Sequence, residues 1–213
     1  MTTFNSILGR IMYELGEPVH ITFRPEELFE YTKEGAALLY KLVSTLSPKH
    51  LLKKDTTLHI DANTSTVQLP TDLLALKYLY LKSQTTNRYR CIPTDIETLN
   101  EYADTSGTPL YFSRIGTTLE LAPVPDTQYD IILYYLPKYT APNVYDDSIG
   151  IPDEFVEFVV DYVVIRAKNR SDRNTIVEQN FINLKLNAIK SVLYSESEEI
   201  QVKGTLFESQ YFK

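Results

Sequence analysis

The sequence predicts an α+β fold: a helical bundle of two N-terminal and two C-terminal helices, a β-rich insertion between the pairs, and an extended C-terminal tail. Three patterns predict it. Apolar residues recur at helical spacing over 4–46 and again after Pro152. Between 51 and 139 they alternate with polar residues, as in half-buried strands. From Glu196 onward neither period holds. The expected division is 1–50 with 151–196 for the bundle, 51–140 for the insertion and 197–213 for the tail.

Residues 4–15 read as a short helix, with Ile7, Leu8, Ile11, Met12 and Leu15 at helical spacing and Gly16 and Pro18 ending it. A longer helix is expected over 25–46. Pro25 suits a first helical position, where its missing N–H costs nothing. Glu26 and Glu27 follow in the first turn, where the helix dipole favours acids. Leu28, Tyr31, Gly35, Leu38, Leu42 and Leu46 are expected to line its packed face. Gly35 costs about 1 kcal/mol relative to alanine, which a close crossing by the first helix explains. Ser47-Pro48 ends the element.

In the insertion, Leu58 with Ile60 and Val67 with Leu69 mark two strands joined by the turn Asp61-Ala62-Asn63-Thr64. The run Leu73–Leu81 is read as a strand from about residue 76, and Arg88–Ile92 as another. Thr94 with Glu97 three residues on reads as an N-cap, placing a short helix over 95–103. Leu110–Arg114 and Thr118–Ala122 flank Gly116, a tight hairpin. Tyr129–Leu136 is apolar on both faces, hence a buried or interfacial strand.

Pro152-Asp153-Glu154 repeats the start logic of Pro25-Glu26-Glu27. Phe155, Phe158, Val159, Tyr162, Val163 and Arg166 form one stripe of the helix that follows; Val156, Val160 and Val164 form a second. A helix this apolar all round is buried or sits between subunits. Asp172 is expected to cap a last helix over 173–195, with Val177, Phe181, Leu184, Ala188 and Val192 on its apolar face. In the tail, Glu196, Glu198 and Glu199 are expected to be solvated. Leu206, Phe207, Tyr211 and Phe212 are too apolar for a free end, so they are the candidate partner-binding residues.

Composition narrows the function. The chain has 213 residues, 43% hydrophobic and 23% charged, enough to bury a core. Its 16 tyrosines fit surfaces that are wet in one state and buried in another, and fit equally an AT-rich codon bias. A net charge of −7 with no long basic run argues against sequence-reading of nucleic acid and suits a surface that DNA passes without sticking. One cysteine, Cys91, cannot form an internal disulfide. The first residues lack the charged and apolar regions of a signal peptide, and no apolar run approaches the ~20 residues of a membrane span. A cytoplasmic protein, with no membrane partner, is expected.

No constellation of residues announces chemistry. The seven glycines form neither GxGxxG nor GKS/T. His59 and Asp61 share a strand face and could bind one ion; the alternative is an ordinary polar face. His20 and His50 have no ligand-like neighbours. Arg90 could lower the pKa of Cys91 and activate it; the alternative is a small half-buried hydrophobe. Asp146-Asp147 and Asp153-Glu154 are adjacent acids of the kind that is usually solvated or capping, whereas acid–base work needs two carboxylates with divergent pKa values. Asn63-Thr64-Ser65 and Asn169-Arg170-Ser171 match glycosylation sequons by chance. No catalytic, cofactor-binding or metal-binding residue is assigned, and no cofactor is expected.

One set of motifs carries a family resemblance. Leu69-Pro70-Thr71-Asp72-Leu73-Leu74 resembles the LPxDFL-type entry to the β region of tailed-phage head-to-tail adaptors, with Leu73 where Phe is common. Gly107-Thr108-Pro109-Leu110-Tyr111, then Gly116 through Asp126, then Tyr129-Asp130-Ile131-Ile132-Leu133-Tyr134-Tyr135 follow that family's order. This order is a tyrosine strand, a glycine turn, a strand ending in PxP and a strand ending in paired tyrosines. Pro152-Asp153-Glu154-Phe155 fits its helix start. The resemblance covers residues 1–195 and includes the tail tubular protein A group. It implies a non-enzymatic neck-ring subunit, usually dodecameric, that joins portal to tail or further neck rings. It also implies a place in the virion, with DNA passing through the bore without specific binding. Alternatives are another virion assembly, tail-completion or capsid-decorating protein, and, from another class, a small hydrolase or ligand-binding enzyme using His59, Asp61 or Cys91.

Overall fold

The structure, a computed structural model, describes residues 2–16, 22–83, 88–172, 176, 180 and 182–191. It is a mixed α+β protein of two compact units, one comprising Met1–Leu51 and Tyr139–Lys213, the other Leu52–Lys138.

In the first unit, α1 spans Phe4–Leu15. The Thr3 hydroxyl accepts from the Ser6 N–H and the Ser6 hydroxyl accepts from the Thr3 N–H, so two otherwise orphaned donors are satisfied. Gly16, at φ +73°, turns its N–H back to the Met12 and Tyr13 carbonyls. Helix α2 spans Pro25–Leu46 with proline at its first position, as expected from sequence. Its buried stripe is Leu28, Phe29, Thr32, Gly35, Ala36, Leu39, Tyr40 and Val43, whereas Leu38 is exposed. The expected stripe is thus correct at Leu28 and Gly35 but rotated by about a residue beyond them, because Phe29, Ala36 and Tyr40 pack inward where Tyr31, Leu38 and Leu42 were expected. After a 3-10 turn at Asp153–Phe155, α4 spans Val156–Asp172 and packs against both α1 and α2. Gly35 faces Tyr162 of α4, not α1 as the sequence suggested. Phe158, Val159, Val160, Val163, Val164 and Ala167 of α4 are buried within the chain, so much of its two-stripe character serves an internal core.

Asp172 is the last described residue of α4, and residues 173–175, where the expected last helix begins, lie outside the described residues. Residues 176, 180 and 182–191 are helical, and Lys185 lies 2.7 Å from the Asp161 carboxylate. Leu184 and Ala188, expected on a packed face, are exposed in this chain. Pro18, His20, Val177, Phe181 and Val192 lie outside the described residues.

The second unit holds strands β1 (Lys53–Asp55), β2 (His59–Ile60), β3 (Thr66–Gln68), β4 (Leu73–Ser83), β5 (Tyr89–Arg90) and β6 (Ile92–Pro93). Helix α3 (Ile96–Glu101) and strands β7 (Ser106–Gly107), β8 (Tyr111–Ile115), β9 (Thr118–Ala122), β10 (Val124–Pro125) and β11 (Tyr129–Pro137) follow. One sheet runs β1-β11-β4-β5, with β2 also on β11; a second runs β3-β9-β8-β6; β7 and β10 pair separately. Ile60, Leu79, Leu81, Ile131 and Leu133 of the first sheet share one core with Phe112, Leu119 and Leu121 of the second. The expected burial of β11 on both faces holds for one of them: Tyr129, Ile131, Leu133 and Tyr135 are buried, whereas Ile132 and Tyr134 on the other face are half-buried and Asp130 is exposed. The hairpin at Gly116, with φ +62°, forms where expected.

Three expectations shift. The turn at 61–64 connects two sheets rather than two paired strands, since β2 pairs β11 and β3 pairs β9. The strand expected over 88–92 is two, β5 and β6, which divide at Cys91 and join different sheets. Asp95, not Thr94, caps α3, accepting from the Thr98 N–H at 2.7 Å.

Candidate assembly surface

Alternation along β4 and β11 sends Leu79, Leu81, Ile131 and Leu133 into the core and Tyr78, Tyr80 and Tyr134 to the opposite face. Tyr78 pairs with Tyr134 in register, and their rings meet edge-on at 6.5 Å; Tyr80 and Tyr134 meet at 6.0 Å. Arg90 pairs with Tyr80 on the neighbouring strand, so its side chain shares this face. The Arg88 guanidinium lies 3.8 Å from the Tyr80 ring and 5.5 Å from Tyr134; that of Arg90 lies 5.1 Å from Tyr78. By register, Lys54, Lys82 and Asp130 belong to the same face. In a chain of net charge −7 this is a local cationic, aromatic surface. Its sequence signal was the period-two run Tyr78-Leu79-Tyr80-Leu81-Lys82 with Arg88-Tyr89-Arg90, read as strand pattern but not for what its outer side carries.

Next to this face, Asp72 anchors the sheet margin. It accepts from Lys53 Nζ at 2.8 Å and from the Tyr135 hydroxyl at 2.9 Å. The hydrogen bond from Lys53, then that from Tyr135, holds its carboxyl below the ordinary range against the opposing effect of burial.

The residues considered for chemistry are placed apart. Cys91 is 1% exposed, its thiol 3.6 Å from the Pro109 carbonyl, and burial pushes its pKa up to about 12. Arg90 points to the tyrosine face instead of activating it. His59 and Asp61 are both exposed, and no group of three or more His, Cys, Asp or Glu suited to a metal occurs among the described residues. Asp146 accepts from Asn5, Asp147 from the N–H groups of Asn143 and Val144, and Asp153 from the Thr2 hydroxyl. Glu154 pairs with His50 at 2.9 Å, beside an open depression of about 270 Å³ lined by His50, Leu51, Ser148, Gly150, Ile151, Pro152 and Asp153. Each of these four carboxylates already has a hydrogen-bond or ion-pair partner at a loop or helix start. Asn63 sits in a turn at φ +61° and Asn169 within α4.

The candidate partner-binding residues Leu206, Phe207, Tyr211 and Phe212 lie outside the described residues. Among the described residues no helix is long and apolar enough to cross a membrane. A family model described as SU10 adaptor protein matches residues 2–201. No curated protein matches the chain.

Proposed function

Because this chain belongs to the SU10 adaptor protein family, we propose that it is a structural head-to-tail adaptor of a tailed phage, a neck-ring subunit that links portal to tail and lines part of the DNA channel. The observation that carries this reading is the family match over residues 2–201, nearly the whole chain. The placement of potential catalytic groups supports it: Cys91 is buried with a raised pKa, and the paired acids cap and tether. A ring subunit needs lateral contacts and a bore that does not bind its passenger, not an active site.

In this reading residues 1–50 and 151–196 form a four-helix bundle, 51–140 an insertion and 197–213 a docking tail. Copies close into a dodecameric ring in the virion neck, and no catalysis is involved. The exposed Leu184 of segment 182–191 offers apolar surface to a neighbour. Leu206, Phe207, Tyr211 and Phe212 dock on a portal, tail or neighbouring neck protein. Burial of Phe207 and Phe212 contributes roughly 1.5–3 kcal/mol each before ordering costs.

Electron microscopy of the parent particle tests the reading. Density for this chain as a ring between portal and tail is the expected result. A location elsewhere in the particle, or measurable turnover lost in Cys91→Ser or His59→Ala, overturns it. Truncation after Glu199 is expected to leave a folded subunit that joins its neck partner poorly.

A further inference from the structure

The tyrosine–arginine face has a counterpart of opposite charge on the same unit. Between Ile92 and Ser113 the chain carries Asp95, Glu97, Glu101 and Asp104 and no Lys, Arg or His. All four acids are exposed. They lie on and beside α3, which packs against β8 and β9. Phe112 of β8 points into the core that the two sheets share, so Tyr111, one residue before it, turns outward. The Tyr102 ring at the end of α3 stacks on Tyr111 at 5.1 Å. α3 therefore covers the outer side of the second sheet, and the tyrosine–arginine face is the outer side of the first. The shared core separates them, so a single copy cannot bring its own two surfaces together.

The two surfaces match in charge, spacing and apolar content. The first carries Lys54, Lys82, Arg88 and Arg90 against Asp130. Arg88 and Arg90, two residues apart on an extended chain, stand roughly 7 Å apart. Glu97 and Glu101, four apart on α3, share a helix face roughly 6 Å apart. A guanidinium stacked on a ring still presents its N–H edge to a carboxylate. Exposed apolar side chains accompany both sets of charges, Tyr78 on the first surface, Ile92 and Ile96 on the second. We propose that the tyrosine–arginine face of one copy docks on the α3 side of a second copy of this chain, with Arg88 and Arg90 paired to Glu97 and Glu101. Charge complementarity selects this occupant, and every copy offers both halves of the contact. A contact between two different surfaces of one chain propagates head to tail and closes into a ring where the rotation allows. The inference gives the proposed ring a lateral contact and rests on that reading.

The test compares the full chain with three altered forms: Arg88→Glu with Arg90→Glu, Glu97→Arg with Glu101→Arg, and all four changes together. Sedimentation equilibrium over a concentration series reads self-association. The unaltered chain should associate, and less tightly as salt rises, since both surfaces are exposed. Either reversed pair alone should weaken association on the order of tenfold or more, because like charges then face each other. An equimolar mixture of the two reversed pairs should recover it, as should the chain with all four changes. Recovery also shows that the altered chains are folded. The proposal is overturned if the unaltered chain does not associate up to about 1 mM, if either reversed pair associates undiminished, or if the mixture does not recover. Loss with the arginine pair alone would give the face to a different acidic partner. A ring between portal and tail whose neighbours meet through other surfaces removes this contact and leaves the adaptor reading. Association through these surfaces in a chain located elsewhere in the particle does the reverse, so the two fail separately.

Discussion

A methyl group on Gly35 would come within 2.8 Å of Cδ1 and 3.0 Å of Cγ of Tyr162, so α2 and α4 approach each other where α2 has no side chain. The contact atoms lie near the root of the tyrosine, which cannot swing clear without moving α4. In an unpacked helix Gly→Ala gains about 1 kcal/mol; overpacking costs roughly 1–3 kcal/mol. Gly35→Ala is therefore expected to destabilise the chain by up to about 2 kcal/mol in urea unfolding. Adding Tyr162→Ala should remove most of the clash penalty, giving a non-additive double-mutant cycle. A stabilised Gly35→Ala would mean that the helices do not meet there.

Acid should weaken the fold through a specific set of carboxylates. The Asp72 carboxyl is lowered first by the Lys53 hydrogen bond, that of Asp147 by the Asn143 and Val144 N–H groups, and that of Asp95 by the Thr98 N–H. A carboxyl whose folded pKa lies below its unfolded value, about 3.9 for Asp, contributes stability above that unfolded value. The contribution is lost as pH falls through the folded one. Denaturation midpoints should be flat from pH 7 to 5 and fall below pH 4. Asp72→Asn should be less stable at neutral pH and show a shallower acid limb. An unchanged limb in that variant would remove Asp72 from the set.

Cys91 should be inert in the folded chain. The thiolate is the reacting form, and burial pushes this thiol up to about 12 while leaving 1% of the residue exposed. A disulfide reagent at pH 8 should label it only as fast as the unit opens, with full labelling in denaturant. Rapid labelling under native conditions would reopen the activated-thiol alternative.

How much could be read from sequence depends on where the deciding contact lies. α1, α2 and the Gly116 hairpin were legible because their signals are local: helical spacing, Pro25 at a helix start, and a glycine that takes φ +62° between paired strands. The division at Cys91 was not, because 88–92 has one strand pattern and only the partners, Leu79 on one side and Leu110 on the other, show that the chain changes sheet. The partner of Gly35 was hidden for the same reason: a glycine reports a close approach, not which helix makes it. Of the assembly surface, the alternation of Tyr78 to Lys82 was visible, whereas its convergence with Tyr134 and Arg88 needed the register of β11 on β4.

Duplex DNA should bind the isolated chain weakly despite the cationic sheet face. The chain as a whole carries −7, and the cations of that face are already engaged: Arg88 and Arg90 stack on tyrosines, and Lys82 stands opposite Asp130. Each phosphate neutralised contributes a slope of about −0.9 in log K against log salt, so even four contacts give at most about −4. Repulsion from the acidic remainder lowers affinity further. Anisotropy titrations of a labelled duplex at 50 and 200 mM salt are expected to give dissociation constants no tighter than about 10 μM at the higher salt, within or above the non-specific range. Lys54→Glu with Lys82→Glu should change them little. Submicromolar binding with a steep salt slope would contradict a bore that DNA passes without sticking. It would instead place the tyrosine–arginine face on the nucleic acid.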